Sequence, residues 1–100
     1  MKRVIVRYRV KPECAEENRA YVEKVYAELN QTQPAGLRYA TFRASDGVTH
    51  FHIAAVDTAD GQNPLNQSPA FAAFSAAVRD RCDEPPVAME VEELGSYNFI

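Results

Sequence analysis

The dipeptide Asp46-Gly47 lies between two short runs that are rich in β-branched and aromatic residues. Aspartate followed by glycine readily adopts the positive φ angles of a two-residue type I′ turn, so this dipeptide predicts a β-hairpin. We expect its strands to cover residues 37–44 and 48–56. The turn also predicts which residues of the two strands face each other, because the pairing follows from the length of the turn.

The segment before the hairpin predicts a strand and a helix. Residues Val4 to Val10 alternate between apolar and charged side chains, as in a strand with one buried face. Pro12 suits the first turn of a helix, and the acidic residues that follow it suit the positive end of the helix dipole. An apolar stripe at helical spacing continues this helix to about Thr32.

The segment after the hairpin predicts a second helix and a last strand. Ser68 and Pro69 are a typical N-cap and first helical residue, and we expect this helix to run to Cys82. The stretch from Val87 to Ile100 is expected to be extended, with a bulge or bend near Gly95.

The resulting order βαββαβ is that of a ferredoxin-like α+β fold. It packs two helices on one face of a four-stranded antiparallel sheet with strand order 4-1-3-2. A chain of 100 residues is long enough for one core but short for two, so we expect a single domain over residues 1–100. The other face of the sheet needs a cover, which a second copy of the chain would supply. We therefore expect a homodimer.

Charge and composition argue against several classes of function. The net charge of −3 provides no attraction to nucleic acid or to an anionic membrane. The apolar stretches are too short to span a bilayer and the N-terminus lacks a signal-peptide core, so we expect a cytoplasmic protein. Cys14 and Cys82 match no metal or redox spacing and are expected to be free thiols. Phosphate-binding loops and serine-hydrolase motifs are absent from the sequence.

Counting back from the predicted turn pairs Arg43 with His50, Thr41 with His52 and Tyr39 with Ala54. One face of the hairpin then collects its polar side chains: Tyr39, Thr41, Arg43, His50 and His52. The other face collects apolar side chains: Ala40, Phe42, Phe51, Ile53 and Ala55. We expect the helices to cover the apolar face, which leaves the histidines pointing away from them. Charged residues of the first and fourth strands are expected on the same face as these histidines: Arg7, Arg9, Glu90 and Glu92.

Imidazole, guanidinium and phenol groups on one surface suit the binding of an anion or the transfer of a proton. The candidate catalytic residues are Tyr39, Arg43, His50 and His52, with Arg43 holding an anionic oxygen and a histidine accepting the proton. The alternative is structural, since the same residues could be charged and polar pairs at the dimer interface. A metal site is disfavoured because the sequence places no third ligand at a suitable spacing, and we expect no cofactor.

A second candidate surface lies on the helix side of the sheet. Five aromatic residues fall there: Tyr8, Tyr21, Tyr26, Phe71 and Phe74. They could line a small apolar pocket with hydroxyl groups at its rim, or they could pack as an ordinary core.

These features together resemble the dimeric α+β barrel superfamily, most closely its antibiotic-biosynthesis-monooxygenase-like domains. The resemblance covers nearly the whole chain and rests on four motifs: Val4-Ile5-Val6-Arg7-Tyr8 before an acidic helix, Gly36-Leu37-Arg38-Tyr39, Asp46-Gly47 before His50-Phe51-His52, and Ser68-Pro69-Ala70-Phe71 with Phe74. It implies a homodimer whose sheets pair face to face. Some members oxidise phenolic or quinol substrates with molecular oxygen and no cofactor, others degrade haem, and many have no known activity.

The chain departs from that family in two respects. It has no tryptophan, which characterised members tend to use in the pocket, and no histidine between Ser68 and Cys82 that could hold haem. The missing histidine argues against haem degradation, and the resemblance implies a cofactor-independent monooxygenase-like enzyme for a small aromatic or enolisable metabolite. The alternative is a non-catalytic dimeric domain that binds a small molecule or serves stress physiology. Pockets of the family usually lie between sheet and helices, whereas the histidines here are predicted to face away from the helices.

Overall fold

A computed structural model describes residues 1–99 of the chain. In chain order its elements are β1 (Lys2–Val10), a short 3-10 helix (Pro12–Cys14), α1 (Ala15–Thr32), β2 (Leu37–Arg43), β3 (Thr49–Val56), a second 3-10 helix (Pro64–Gln67), α2 (Pro69–Ala76), α3 (Val78–Arg81) and β4 (Cys82–Val91). The strands form a four-stranded antiparallel sheet in the order β2-β3-β1-β4. This is the ferredoxin-like order that the sequence predicts. None of the described helices combines the length and apolar composition needed to cross a membrane.

The pairing of the hairpin strands agrees with the prediction, but the turn between them differs. Arg43 lies opposite His50, as counted from the sequence. Gly47 has a positive φ of 82°, whereas Asp46 is not among the residues with positive φ, so the turn is not type I′. The Asp46 carboxylate instead accepts the backbone N–H groups of Val48 and Thr49, at 2.9 and 2.8 Å. An aspartate that caps backbone groups in this way shapes a longer turn with the same strand register.

The side chains of β2 and β3 face the opposite way from the prediction. His50 lies directly across from Tyr8 of β1, and His52 lies across from Val6. Residues directly opposite each other in antiparallel strands share a face of the sheet. Tyr8 is 1% exposed, His50 3% and His52 6%, so this face is the one beneath the helices. The prediction that the histidines point away from the helices is therefore wrong.

The face of the sheet away from the helices is apolar at its centre. Ile5 lies between Ile53 and Met89, and Phe42 lies opposite Phe51. Several of the large side chains here are more than half exposed: Phe42 at 53%, Met89 at 56% and Val87 at 57%. We call this surface the open sheet face.

Acidic residues do not form the predicted row on the open sheet face. Glu90 lies across from Val4, on the helix side, and Glu92 follows the end of β4. Toward one end of the face, Arg7 and Arg9 instead pair with Glu84 at 3.0 and 3.3 Å. On the other side of Ile5, Arg3 pairs with Glu93 at 3.7 Å, so charged groups flank the row of Ile5, Ile53 and Met89 on both sides.

The second predicted helix divides in two. α2 ends at Ala76, the backbone leaves the helical conformation at Ala77 with φ −124° and ψ 11°, and α3 adds one further turn. The guanidinium of Arg81 donates to the carbonyl of Phe74 across this break, at 3.1 Å. A side chain thus binds a carbonyl at the point where the helix is interrupted.

The last strand begins earlier and ends earlier than predicted. β4 starts at Cys82, continues through Pro85 and Pro86, and stops at Val91. Prolines are tolerated here because β4 is an edge strand, and its register with β1 shifts beside them. The predicted strand beyond Val91 is not present over residues 92–99, and Ile100 lies outside the described residues.

Candidate functional site

A cavity of about 210 Å³ lies between the sheet and α2. Most of its lining is apolar: Val4, Val6, Ala54, Leu65, Phe71, Phe74, Val78 and Pro86. The polar residues of the lining are Tyr8, Tyr39, His52, Asn63 and Ser75. An apolar cavity of roughly 150 Å³ is large enough to bind benzene, so this volume suits one substituted ring.

His52 is held at both ring nitrogens in the wall of this cavity. Its Nε2 atom lies 2.8 Å from the Tyr8 hydroxyl. Its Nδ1 atom lies 2.6 Å from the Tyr39 hydroxyl and 3.1 Å from that of Thr41. Burial, with a smaller effect from His50, lowers the pKa of His52 to about 4. The imidazole is therefore neutral at ordinary pH, and one nitrogen donates while the other accepts.

The hydrogen-bond network continues from His52 into the helix layer. Asn18 of α1 donates to the Tyr8 hydroxyl at 2.9 Å, and Nε of Arg81 donates to the Asn18 amide oxygen at 3.2 Å. On the other side, the Tyr26 hydroxyl lies 2.7 Å from that of Thr41. Strands β1, β2 and β3 are thus connected to α1 and α3 through one buried polar chain.

The hydrogen-bond network ends at Arg81, which is unusual because Arg81 is a buried cation. Its side chain is 2% exposed, and its guanidinium carbon lies 4.3 Å from the centre of the Tyr21 ring. A guanidinium stacked on an aromatic ring in a desolvated site is stabilised by the negative face of the ring. Its Nη1 atom has no hydrogen-bond partner among the described residues.

The phenol groups of the network stay protonated. Burial raises the pKa of Tyr8 to about 12, against the lowering effect of the Asn18 hydrogen bond. Burial also raises the pKa of Tyr39 and that of Tyr26 above the ordinary range. The cavity therefore presents neutral phenol and imidazole groups at ordinary pH.

Two of the four predicted site residues, Tyr39 and His52, lie together in the cavity lining. His50 lies behind Tyr8, with the two rings stacked at 5.1 Å, and its Nδ1 donates to the Val48 carbonyl at 2.9 Å. Arg43 reaches outward to the exposed Glu16, at 3.4 Å. Neither His50 nor Arg43 lines the cavity.

Asn18 and Arg81 belong to the buried network although neither was predicted as a site residue. Asn18 occupies the apolar stripe of α1 together with Tyr21, Val22 and Val25, at intervals of three, four and seven residues. A polar residue in such a stripe is the signal that could have found it, because a buried amide needs partners. An arginine near the C-terminal end of a helix, such as Arg81, is common because it interacts favourably with the helix dipole. Nothing in the neighbouring sequence therefore indicated that Arg81 is buried.

The described part of the chain contains no set of side chains suited to binding a metal ion. No three histidine, cysteine, aspartate or glutamate side chains are grouped there so that they could hold a metal ion. Cys14 and Cys82 are both free.

Stability is expected to fall as pH drops from 6.5 toward 4. The pKa of His52 is about 4 in the folded protein against an ordinary value of 6.5, so the unfolded chain takes up a proton first. The stability that neutral His52 contributes above pH 6.5 is then lost progressively, by about 3 kcal/mol in total. Urea denaturation at intervals between these pH values measures it. Burial also lowers the pKa of His50, which adds to the loss in the same direction. His52→Gln is expected to remove the larger part of this dependence, and an unchanged dependence in that variant would contradict the assignment.

Comparisons with known proteins identify the fold. No protein-family model matches the chain, and no curated protein matches it in sequence. Rv0793 from Mycobacterium tuberculosis superposes with a TM-score of 0.76 at 18% identity, covering 95% of this chain and 96% of that one. An antibiotic biosynthesis monooxygenase gives a TM-score of 0.75 at 14% identity, covering 95% of this chain and 100% of that one. SnoaB, a cofactor-independent oxygenase from Streptomyces nogalater, gives 0.71 at 15% identity, covering 98% and 97%.

The likeness extends over nearly the full length of each chain, while the identities are low enough that they describe shape rather than chemistry. The chain therefore has the fold of the antibiotic-biosynthesis-monooxygenase-like proteins, the group that its sequence resembles.

Proposed function

We propose that this protein is a cofactor-independent monooxygenase-like enzyme that acts on a small aromatic or enolisable metabolite. The observation that carries the proposal is the pairing of Tyr39 with neutral His52, at 2.6 Å, in the wall of an otherwise apolar cavity. Apolar walls suit a ring, and a few polar groups among them fix its orientation. SnoaB, with the same fold, is named a cofactor-independent oxygenase, which supports the reaction class.

The reaction that fits such a cavity oxidises an activated methylene group to a carbonyl. One atom of molecular oxygen enters the product, and the other leaves as water with the two methylene hydrogens. The substrate supplies all the electrons and loses its enolising proton to solvent water, so the protein needs only to bind it and to favour its enolate form. A hydrogen-bond donor aimed at the enolate oxygen in a water-poor site gives that stabilisation.

Tyr39 has this donor role in the proposal, and His52 holds Tyr39 in position. The role of holding an anionic oxygen moves from Arg43 to Tyr39, because Arg43 pairs with Glu16 at the surface. His50 supports the site indirectly, through its stacking on Tyr8.

Oxygen consumption with 1-phenylbutan-2-one, an uncharged single-ring ketone whose methylene group lies between the ring and the carbonyl, tests this proposal. Dialysed protein with a chelator present is expected to consume oxygen faster than the protein-free solution. Tyr39→Phe is expected to lower kcat on the order of 100-fold with little change in KM, because the lost donor acts mainly in the transition state. Tyr97→Phe is the matched control, since Tyr97 is 88% exposed. Equal rates with and without the parent protein, or an unchanged kcat in Tyr39→Phe, would count against the enzyme.

A homodimer is part of the proposal. Apolar side chains cross the open sheet face from Phe42 on the β2 edge, through Ile53 and Ile5, to Met89 on the β4 edge, and apolar surface of this extent marks an interaction site. A second copy of the chain, packed by two-fold symmetry, would cover the same surface on both subunits. The cavity lies on the other side of the sheet, so the pairing leaves it free.

Binding without catalysis is the second candidate function. It is favoured by the contacts of His52, since both ring nitrogens already have protein partners and neither is free to accept a substrate proton. Saturable binding of 1-phenylbutan-2-one with no oxygen consumption would select this alternative.

A further inference from the structure

The hydrogen bonds around His52 have two consistent directions. If Nδ1 carries the proton, Tyr8 donates to Nε2 and Nδ1 donates to Tyr39. If Nε2 carries the proton, both bonds reverse, so that Nε2 donates to Tyr8 and Tyr39 donates to Nδ1. The distances of 2.8 and 2.6 Å allow either direction. The direction decides whether the Tyr39 hydroxyl hydrogen is used within the network or is free for a ligand.

Arg81 determines the direction at the far end of the network. A guanidinium only donates hydrogen bonds, so the atom of Asn18 that faces Arg81 is the amide oxygen, at 3.2 Å. The NH₂ group of Asn18 therefore faces Tyr8 and donates to its hydroxyl oxygen, at 2.9 Å. Since the Tyr8 oxygen accepts this bond, the Tyr8 hydrogen is available for Nε2 of His52.

The reverse direction leaves a buried hydrogen without an acceptor. The Tyr8 oxygen would accept from both Asn18 and His52, and within residues 1–99 no other group accepts the Tyr8 hydrogen. Tyr8 is 1% exposed, and a buried polar group without a partner is costly. In the forward direction the hydrogen left for a ligand belongs to Tyr39, which is only partly buried and lines the cavity, while the neighbouring Thr41 oxygen can accept from Tyr26 instead.

We propose that Arg81 and Asn18 are positioning residues that fix the tautomer of His52 and thereby make Tyr39 a hydrogen-bond donor to the ligand. The contacts run without interruption from Arg81 through Asn18, Tyr8 and His52 to Tyr39. The Tyr39 hydroxyl, at the end of this network, then favours a ligand that carries a hydrogen-bond acceptor.

The ligand class follows from the donor and from the rest of the lining. The volume of about 210 Å³ admits one ring, and the described residues that line it include no lysine or arginine. A carboxylate would therefore lose its hydration without gaining a cationic partner. We infer an uncharged single-ring compound with a carbonyl-type oxygen. This ligand class rests on the proposed function, because both use the same cavity, whereas the tautomer does not depend on it.

NMR of protein labelled in its histidine nitrogens tests the tautomer without any ligand. The chain has two histidines, and His50 is an internal reference because its Nδ1 donates to the Val48 carbonyl. The His50→Gln variant assigns the two rings. His52 of the parent protein is expected to carry its proton on Nδ1. A proton on Nε2 would overturn the proposal, and this measurement needs no variant of the network to fold.

Asn18→Asp is the decisive variant. A carboxylate at this position still accepts from Arg81 but cannot donate to Tyr8, so Tyr8 is expected to turn and donate to it. The proton of His52 then moves to Nε2, and Tyr39 donates to Nδ1 instead of to a ligand. Asn30→Asp makes the same change at an exposed position of α1 and is expected to leave the tautomer unchanged. The same tautomer in Asn18→Asp and in the parent would overturn the proposal.

Binding of three single-ring probes tests the ligand class. The parent protein is expected to bind acetophenone on the order of tenfold tighter than ethylbenzene, which lacks the acceptor, and tighter than benzoate. Asn18→Asp and Tyr39→Phe are expected to remove the preference for acetophenone while the affinity for ethylbenzene stays the same. Equal affinities for acetophenone and ethylbenzene in the parent would overturn the ligand class.

The two proposals fail separately. The predicted change of tautomer in a protein that consumes no oxygen supports the positioning role and rejects the enzyme. If the parent protein consumes oxygen but His52 keeps the same tautomer in Asn18→Asp, the enzyme is supported and the positioning role is rejected.

Discussion

Ile53→Asp is expected to convert the proposed dimer into a monomer. Ile53 lies at the centre of the open sheet face, across from Ile5 on one side and Ala40 on the other. A carboxylate buried there would lose its hydration among apolar neighbours, because Arg3 and Arg7 on the same face already pair with Glu93 and Glu84. Two-fold symmetry would place one such carboxylate on each subunit. At about 3 kcal/mol for each subunit, the dissociation constant is expected to rise on the order of ten-thousandfold.

Sedimentation or light scattering over a range of protein concentrations measures this change. Ala27→Asp is the matched control, because it adds the same charge at an exposed position on α1. Circular dichroism establishes that both variants are folded. A parent protein that is monomeric at every concentration, or an Ile53→Asp variant that dimerises as the parent does, would contradict the interface.

Tyr8→Phe is expected to lower the free energy of unfolding by about 4 kcal/mol, since each buried polar group that loses its partner costs about 1–3 kcal/mol. The hydroxyl contacts Asn18 at 2.9 Å and His52 at 2.8 Å, and both lose a partner when it is removed. The stacking on His50 is retained, because it depends on the ring. Urea denaturation at neutral pH measures the loss.

Tyr97→Phe provides the comparison for this measurement. Tyr97 is 88% exposed, so its hydroxyl can bond to water in either state, and a change within about 0.5 kcal/mol is expected. If Tyr8→Phe were as stable as Tyr97→Phe, the hydrogen bonds of the Tyr8 hydroxyl to Asn18 and His52 would not contribute to stability as proposed.

The fold was predictable from the sequence because its main signals are local. The Asp46-Gly47 dipeptide and the alternation on either side of it define the hairpin and its register, and these are short-range features. The end of the chain was less predictable. Pro85 and Pro86 indicate a break in most settings, and only the position of β4 at the edge of the sheet allows them in a strand.

The side of the sheet on which the histidines lie was mispredicted for a physical reason. Both faces of this sheet carry apolar residues, so placing Phe51 and Ile53 against the helices was energetically reasonable. The partners that allow His52 to be buried are far away in the chain: Tyr8 is 44 residues distant, and Arg81 lies 63 residues from Asn18. Pairing β3 with β1 would have resolved the question, because Tyr8 and His50 lie directly opposite each other.

The candidate site was therefore predicted in part. Tyr39 and His52 could be grouped from the hairpin register alone, and the structure places both at the cavity. Whether they act on a substrate stays a prediction. Asn18 and Arg81 became visible only when α1 and α3 were packed on the sheet, since contacts between distant elements leave no periodic pattern.

The alternation along β3 has a consequence for how this chain tolerates changes of length. His50, His52 and Ala54 face the helices, while Phe51, Ile53 and Ala55 belong to the open sheet face. Inserting or deleting one residue within the strand would exchange these two sets and place imidazoles where apolar surface is needed. An insertion beside Gly61 meets no such constraint, because this position lies in the loop between β3 and the second 3-10 helix, where no strand alternation has to be kept. Natural or engineered variants of different length are therefore expected to differ around Gly61 and to keep β3 at its present length.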